Sequence, residues 1–170
     1  GFKREDVISY AKCSLSGVER SLADEFELYV EKWQINGKRF TDGTVWNMNP
    51  LGYTDKRRAM DEEKLLRINL AREKIISPLS AFAEDIGGAE TVKDYLTALV
   101  KFMTELKIEE NLKIKSGEEA LLKGKQKALD MQRLFGIICD SLDKLYDVLA
   151  DYKVSAKVFL NLLKITLSAT

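Results

Sequence analysis

Histidine is absent from this 170-residue sequence. Without an imidazole there is no Ser-His-Asp or Cys-His triad, no His-containing zinc site and no side chain poised as a base near neutrality. Cysteine is scarce. Cys13 and Cys139 lie far apart and form no Cys-x-x-Cys pair, so they do not read as a metal or cluster site and are expected as reduced, buried thiols. A surplus of either charge is also missing, since 27 Lys and Arg balance 27 Asp and Glu. That balance excludes a histone-like DNA coat and a polybasic membrane anchor, which both need one-sided charge. No run reaches the roughly 18 apolar residues of a membrane-crossing helix. The phosphate-cradling patterns GxxxxGK[ST] and GxGxxG do not occur. A self-contained enzyme is left with little to work with.

What is present is helix. Only Pro50 and Pro78 interrupt a chain rich in strong helix formers. Val7, Ile8 and Ala11 stripe a short first helix over Arg4–Cys13, and Ser16-Gly17 breaks it. Val18, Leu22, Phe26, Tyr29, Val30 and Trp33 keep the three-and-four spacing of a second, ended by Asn36-Gly37. Leu65 to Phe82 predicts a long helix that bends or restarts at Pro78 and ends at Gly87-Gly88. Thr91 is the N-cap of the next, over Val92 to Leu106. Ser116-Gly117-Glu118-Glu119 is expected to open the longest helix. Its stripe includes Leu121, Leu134, Ile138, Leu142, Leu145 and Val148, and Ser155 caps the last helix. No segment alternates with period two, and no repeat recurs at about 34 or 40 residues. The fold class is all-α, one multi-helix domain over residues 1–170 with a single long irregular loop at about 37–58.

One stretch differs. Residues 37–58 are punctuated by Gly37, Gly43, Gly52, Pro50, Asn47 and Asn49, while Phe40, Val45, Trp46, Met48, Leu51 and Tyr53 supply apolar anchors. Irregular loops of this length are functional or packed by their own side chains. Lys56-Arg57-Arg58 closes the loop near Trp46 and Tyr53, the mixture of cations and rings that single-stranded nucleic acid needs. Lys123, Lys125 and Lys127 form a second basic run, though alternate spacing splays it around a helix. The candidate nucleic-acid contacts are therefore Lys56, Arg57, Arg58, Lys123 and Lys127. The more ordinary reading makes both runs solvated surface and makes Trp33 and Trp46 core residues. The acidic clusters Asp61-Glu62-Glu63, Glu109-Glu110 and Glu118-Glu119 sit at helix starts, where they offset the macrodipole rather than bind magnesium. Gly87-Gly88-Ala89-Glu90-Thr91 could cradle an anion on free N–H groups, but a helix stop followed by a capped start explains it more simply.

Three segments carry a resemblance: Arg4-Glu5-Asp6-Val7-Ile8-Ser9-Tyr10-Ala11-Lys12, Asp24-Glu25-Phe26-Glu27-Leu28-Tyr29-Val30, and Gln34-Ile35-Asn36-Gly37-Lys38-Arg39-Phe40. With Trp46, with Arg67-Ile68-Asn69-Leu70-Ala71-Arg72, and with Ile76-Ser77-Pro78-Leu79 through Phe82, they resemble the B subunit of the bacterial AddAB helicase–nuclease, RexB in some lineages. The likeness spans about residues 2–106 and continues beyond as helical order alone. Ala11, Cys13 and Phe40 depart from the family pattern while keeping small or apolar character. These are packing motifs, not catalytic ones.

Gly1, with no initiator Met, reads as a tag-cleavage scar, and without a secretory signal the expected compartment is cytoplasmic. The resemblance implies an internal piece of a longer protein, a helical accessory subdomain of it. Its parent would be an ATP-dependent helicase and exodeoxyribonuclease that works with an A subunit. Together they would process broken DNA ends under control of the Chi sequence for homologous recombination. That parent would use ATP, magnesium and an iron–sulfur cluster, but this segment carries no catalytic, cofactor-binding or metal-binding residue of the family pattern. The role implied here is contact with duplex or single-stranded DNA through backbone charge, or bracing of the A subunit. The alternative is a free-standing helical adaptor docking a partner protein through Trp46, Met48 and Tyr53. Neither reading involves a membrane.

Overall fold

The structure is a computed structural model. It describes residues 2–54, 58–114 and 125–168, excluding the side chains of 125–128, 131 and 132. The fold is all-α: helices α1 (Arg4–Lys12), α2 (Arg20–Lys32), α3 (Ala59–Gly88), α4 (Val92–Glu105), α5 (Lys125–Leu149) and α6 (Ala156–Ser168), with a 3₁₀ turn at Gly37–Phe40. Residues 108–114 are also helical. Among the described residues the nearest approach to a strand is one antiparallel bridge, Thr91 to Lys153. No described helix is long and apolar enough to cross a membrane. The domain expected over the whole length is organised as two compact units, Gly1–Ser80 and Ala81–Thr170.

In the first unit, α1 buries Val7 and Ala11, one turn apart, against Ala23, Phe26, Tyr29 and Val30 of α2. Ile35, Phe40 and Trp46 from the following segment and Leu65, Ile68, Ala71 and Ile75 of α3 complete this core. The helix α2 stops earlier than Asn36-Gly37. Gln34 takes a left-handed conformation, its N–H reaches Glu31 O at 3.2 Å, and Ile35 N–H reaches Val30 O at 2.9 Å. That pair of bonds closes the last turn and frees Ile35 to enter the core. Gly37 then donates to Phe2 O at 2.9 Å, and the Asn36 side chain accepts from Arg4 N–H at 3.0 Å, tying this turn to the start of α1.

The helix α3 continues through Pro78 without the expected restart and, at 30 residues, is the longest described helix. The anticipated longest helix has its first part outside the described residues and is 25 residues long as described. Two of its expected core positions are surface: Leu134 is 58% exposed and Val148 72%. Core contact falls to Ile138, Leu142, Leu145 and Leu149, a cleaner three-and-four series.

In the second unit, Val92, Tyr95 and Leu96 of α4 pack with Leu142, Leu145 and Phe159, with Tyr95 stacked on Phe159 at 4.9 Å. Thr91 is the N-cap as expected, in a reciprocal box with Asp94. Ser155 Oγ likewise accepts from Val158 N–H at 3.4 Å at the start of α6. The anion cradle is closed from within. Asp94 Oδ2 accepts from Glu90 and Thr91 N–H, while Val92 and Lys93 N–H donate to Tyr152 and Ala150 O. Glu118-Glu119 lies outside the described residues. Asp61 is a cap residue, 6% exposed, whose carboxylate accepts from Arg58 N–H at 2.9 Å.

Candidate nucleic-acid interface

The irregular loop is held to the helices by an ordered series of contacts. Tyr29, Lys32 and Trp33 sit at i, i+3 and i+4 on α2 and its cap, hence on one face. They address three consecutive loop carbonyls. Tyr29 OH donates to Met48 O at 3.1 Å, Trp33 Nε1 to Asn49 O at 3.1 Å and Lys32 Nζ to Pro50 O at 3.0 Å. From α3, the Asn69 amide treats Trp46 as a strand neighbour would, accepting from its N–H and donating to its O, both at 2.9 Å. Arg72 lies one turn further on. Its Nε donates to Phe40 O at 2.9 Å and its Nη2 to Asp42 at 3.1 Å, while Nη1 donates to Thr44 O. The guanidinium carbon stands 4.6 Å from the centre of the Trp46 ring. Asp42 is held below the usual carboxylate range chiefly by the Thr44 hydroxyl and N–H, with Arg72 adding to this.

Beyond Trp46 the loop tip is built by Asn49, 7% exposed. Its side chain accepts from Leu51 N–H at 2.9 Å and donates to Thr54 O at 2.8 Å, and Gly52 N–H closes on Asn49 O at 2.9 Å. Gly52 has φ +105, in the region where a side chain is strained, and the Lys32 stem packs beside it. This turn holds Tyr53 outward, 93% exposed, with its ring edge-on to half-buried Trp33 at 5.0 Å. Arg39 flanks the pair: Nη1 donates to Trp33 O at 3.2 Å and Nη2 lies 3.5 Å from Met48 Sδ.

The sequence-derived candidates are distributed unevenly around this geometry. Trp46 is a core residue, 3% exposed, stacked near Phe26 and Tyr29, so it offers no docking surface. Met48 is half-buried, and Tyr53 is the one of the three that faces solvent. Arg58 is exposed at the start of α3. Lys56, Arg57 and Lys123 lie outside the described residues, as does the side chain of Lys127, whose backbone belongs to α5. Lys32, Trp33, Arg39, Asn69 and Arg72 were not among the candidates. The signal that could have found them is spacing: 29, 32 and 33 on one helix face, and 69 and 72 on another.

Elsewhere there is little chemistry. Among the described residues no group of three or more Cys, Asp or Glu could hold a metal ion. Both cysteines are free, as expected, but Cys13 is exposed just past the end of α1 rather than buried. Two thiols, one per unit, do not fit a four-thiolate iron–sulfur site. In the second unit a cavity of about 370 Å³ is lined by Val100, Met103, Ile108, Phe135, Cys139 and Leu142. Burial pushes the Cys139 thiol up, with Asp143 and Asp140 adding to the shift.

A likeness to known proteins runs along nearly the whole chain. Over 167 residues it is 29% identical to the B subunit of the ATP-dependent helicase/deoxyribonuclease of Ruminiclostridium cellulolyticum, covering 96% of this chain and 14% of that protein. The chain resembles this B subunit. Its counterpart in Clostridium kluyveri is 28% identical over 171 residues, and that of Clostridium perfringens 27% over 175, each covering 96% of this chain. The likeness to the B subunit thus extends past residue 106, where recognisable motifs give way to helical order. The chain spans about 14% of the length of the first two of these relatives. No protein-family model matches it.

Proposed function

We propose that this chain is a non-catalytic helical segment of a helicase–deoxyribonuclease B subunit, and that it contributes to double-strand-break processing by contacting DNA. The observation that carries the reading is the likeness to the B subunit over 96% of the chain, on a scaffold whose described residues hold no group of three or more Cys, Asp or Glu able to bind a metal ion. ATP, magnesium and the iron–sulfur cluster then belong to other parts of the parent, as do the chemical steps of recombination. The electrostatics support a limited contact. Several described cations are paired, Lys12 with Asp24 and Glu27, Arg20 with Asp24, Arg67 with Glu25, and Lys101 with Asp85. With 27 cationic and 27 anionic residues the chain has no one-sided charge surplus, which favours a local contact over a broad phosphate-binding face. Anisotropy of the chain with a labelled forked duplex at low salt tests this. Weak binding that falls steeply with salt is expected, and absence of binding at high protein concentration would remove the DNA role.

A second reading, bracing of the A subunit, is favoured by exposed apolar side chains on α5 and α6, Leu134, Val148, Val158 and Ile165 among them. Its expected sign is co-purification of the chain with the A subunit after nuclease treatment.

A further inference from the structure

We propose that Tyr53 and Trp33, flanked by the Lys32 ammonium and the Arg39 guanidinium, form a stacking platform for the bases of single-stranded DNA. The inference rests on the reading that the chain contacts DNA, and specifies where and in which form. Three observations converge on it.

A lone exposed tyrosine is ordinary. This one is not a loose side chain on a loose loop. The Asn49-centred turn, the Lys32–Pro50 and Trp33–Asn49 hydrogen bonds and the left-handed Gly52 fix the backbone on both sides of it. Its ring stands T-shaped to that of Trp33, 5.0 Å between centroids and 61° between planes, and is open to solvent at 93% exposure. Because the backbone on either side is already held, binding has less main-chain freedom to remove.

The charges point the same way. Lys12, Arg20, Arg67 and Arg72 of this unit pair with carboxylates. Lys32 and Arg39 are anchored instead on neutral acceptors: Pro50 O for the first, Trp33 O and Met48 Sδ for the second. Among the described residues no carboxylate pairs with either, so two fixed positive charges border the ring pair on a protein of zero net charge. Rings beside held cations match a strand whose repeating unit is one base and one phosphate.

Strandedness follows from access. In a duplex the base faces are covered by their neighbours, and a protruding ring reaches only backbone and groove. An unpaired strand exposes the face that Tyr53 can meet.

The test uses the 170-residue chain and a fluorescein-labelled oligothymidine of about 16 nucleotides at low salt, a length that spans an ordinary single-strand site. Wild type is expected to bind it, with quenching of tryptophan emission. The quenching comes from half-buried Trp33, since Trp46 is 3% exposed and serves as an internal reference. Tyr53→Ala is expected to weaken binding roughly 5- to 100-fold, while Tyr53→Phe keeps it. Both variants should retain the wild-type circular dichroism and melting temperature, because the side chain buries almost nothing. Lys32→Gln and Arg39→Gln should each lower the salt slope by roughly 0.7. If Tyr53→Ala binds as tightly as wild type, the platform is overturned while the DNA-contact reading stands. If the wild type binds no oligonucleotide at low salt, both fall. Loss of A-subunit association in Tyr53→Ala with unchanged DNA affinity would make this corner a protein anchor and also overturn the platform.

Discussion

Replacing Arg72 tests whether the loop is held by a fork of hydrogen bonds or by the packing of Trp46 alone. The Arg72 side chain is 11% exposed and contacts the segment 39–46 through all three guanidinium nitrogens. Its bond to Phe40 O is partly buried and charge-assisted, and bonds of this kind contribute about 1.5–3 kcal/mol. The contact with the Trp46 face adds about 1 kcal/mol. The remaining bonds open to solvent, where water substitutes for them at small loss. Arg72→Met should therefore destabilise the first unit by about 3 kcal/mol. Arg72→Lys keeps a cation near the ring but cannot reproduce the fork, so about 2 kcal/mol should be lost. Urea unfolding followed by tryptophan emission reads this unit selectively, since Trp33 and Trp46 both lie within residues 1–80. A loss below about 0.5 kcal/mol for Arg72→Met, the level of an ordinary surface change, would refute the clamp. Equal losses for Met and Lys would refute the ring contact.

Other expectations follow from the same geometry. Asn69→Leu removes both bonds to the Trp46 backbone and should lower stability by about 1–3 kcal/mol in the same urea assay. In the second unit, Thr91→Ala opens the capping box and should cost about 1 kcal/mol, read by far-UV circular dichroism melts. The Asp94 carboxyl is held below its ordinary value of 3.8, first by the Thr91 N–H, then by the Thr91 hydroxyl and the Glu90 N–H. Its folded pKa lies below the unfolded one, so its stabilisation is present above the unfolded value and disappears as pH falls through the folded one. Melts between about pH 5 and about pH 2 should show a flatter acid limb in Asp94→Asn than in wild type. Iodoacetamide at mildly alkaline pH should label exposed Cys13 before Cys139, whose thiol is raised by burial and by Asp143 and Asp140. Faster labelling of Cys139 would contradict its placement.

Helix class, the Thr91 and Ser155 caps and the Ser16-Gly17 break were readable because each depends on residues a few positions apart. Thr91 meets Asp94 three residues on, and Ser16 Oγ meets Ala11 O five residues back. The stop of α2 was misplaced because Gln34, not a usual left-handed residue, takes that conformation to seat Ile35 in the core, a tertiary demand that local preference does not contain. Continuation through Pro78 is of the same kind, since neighbouring turns hold a helix that the ring alone would weaken. The site was legible only in composition. Cations near aromatics in residues 37–58 marked the right stretch, but Lys32, Arg39 and Trp33 join Tyr53 there only after the loop has folded back on α2. That closure spans 16 to 20 positions, and its local trace, the helical spacing of 29, 32 and 33, does not name the loop residues they meet.

The residues behind the family resemblance now have a physical role, and that role bears on how the site works. Asn69 and Arg72, from the Arg67–Arg72 motif, do not face a substrate; they bind the backbone of 39–46 and cover Trp46. Tyr29, from the Asp24–Val30 motif, holds Met48. The motifs are thus two sides of one clamp on the irregular loop, and the side chains beyond the clamp, Tyr53 foremost, are outside them. A clamp that fixes main chain through carbonyls constrains the loop's course without dictating most of its side chains. If the tip meets single-stranded DNA, transfer of an aromatic to that position should matter more for binding than any charge change on the paired surface. Arg67→Gln, which breaks the pair with Glu25 of α2, should leave oligothymidine affinity within twofold of wild type (about 0.4 kcal/mol), whereas Tyr53→Ala should not.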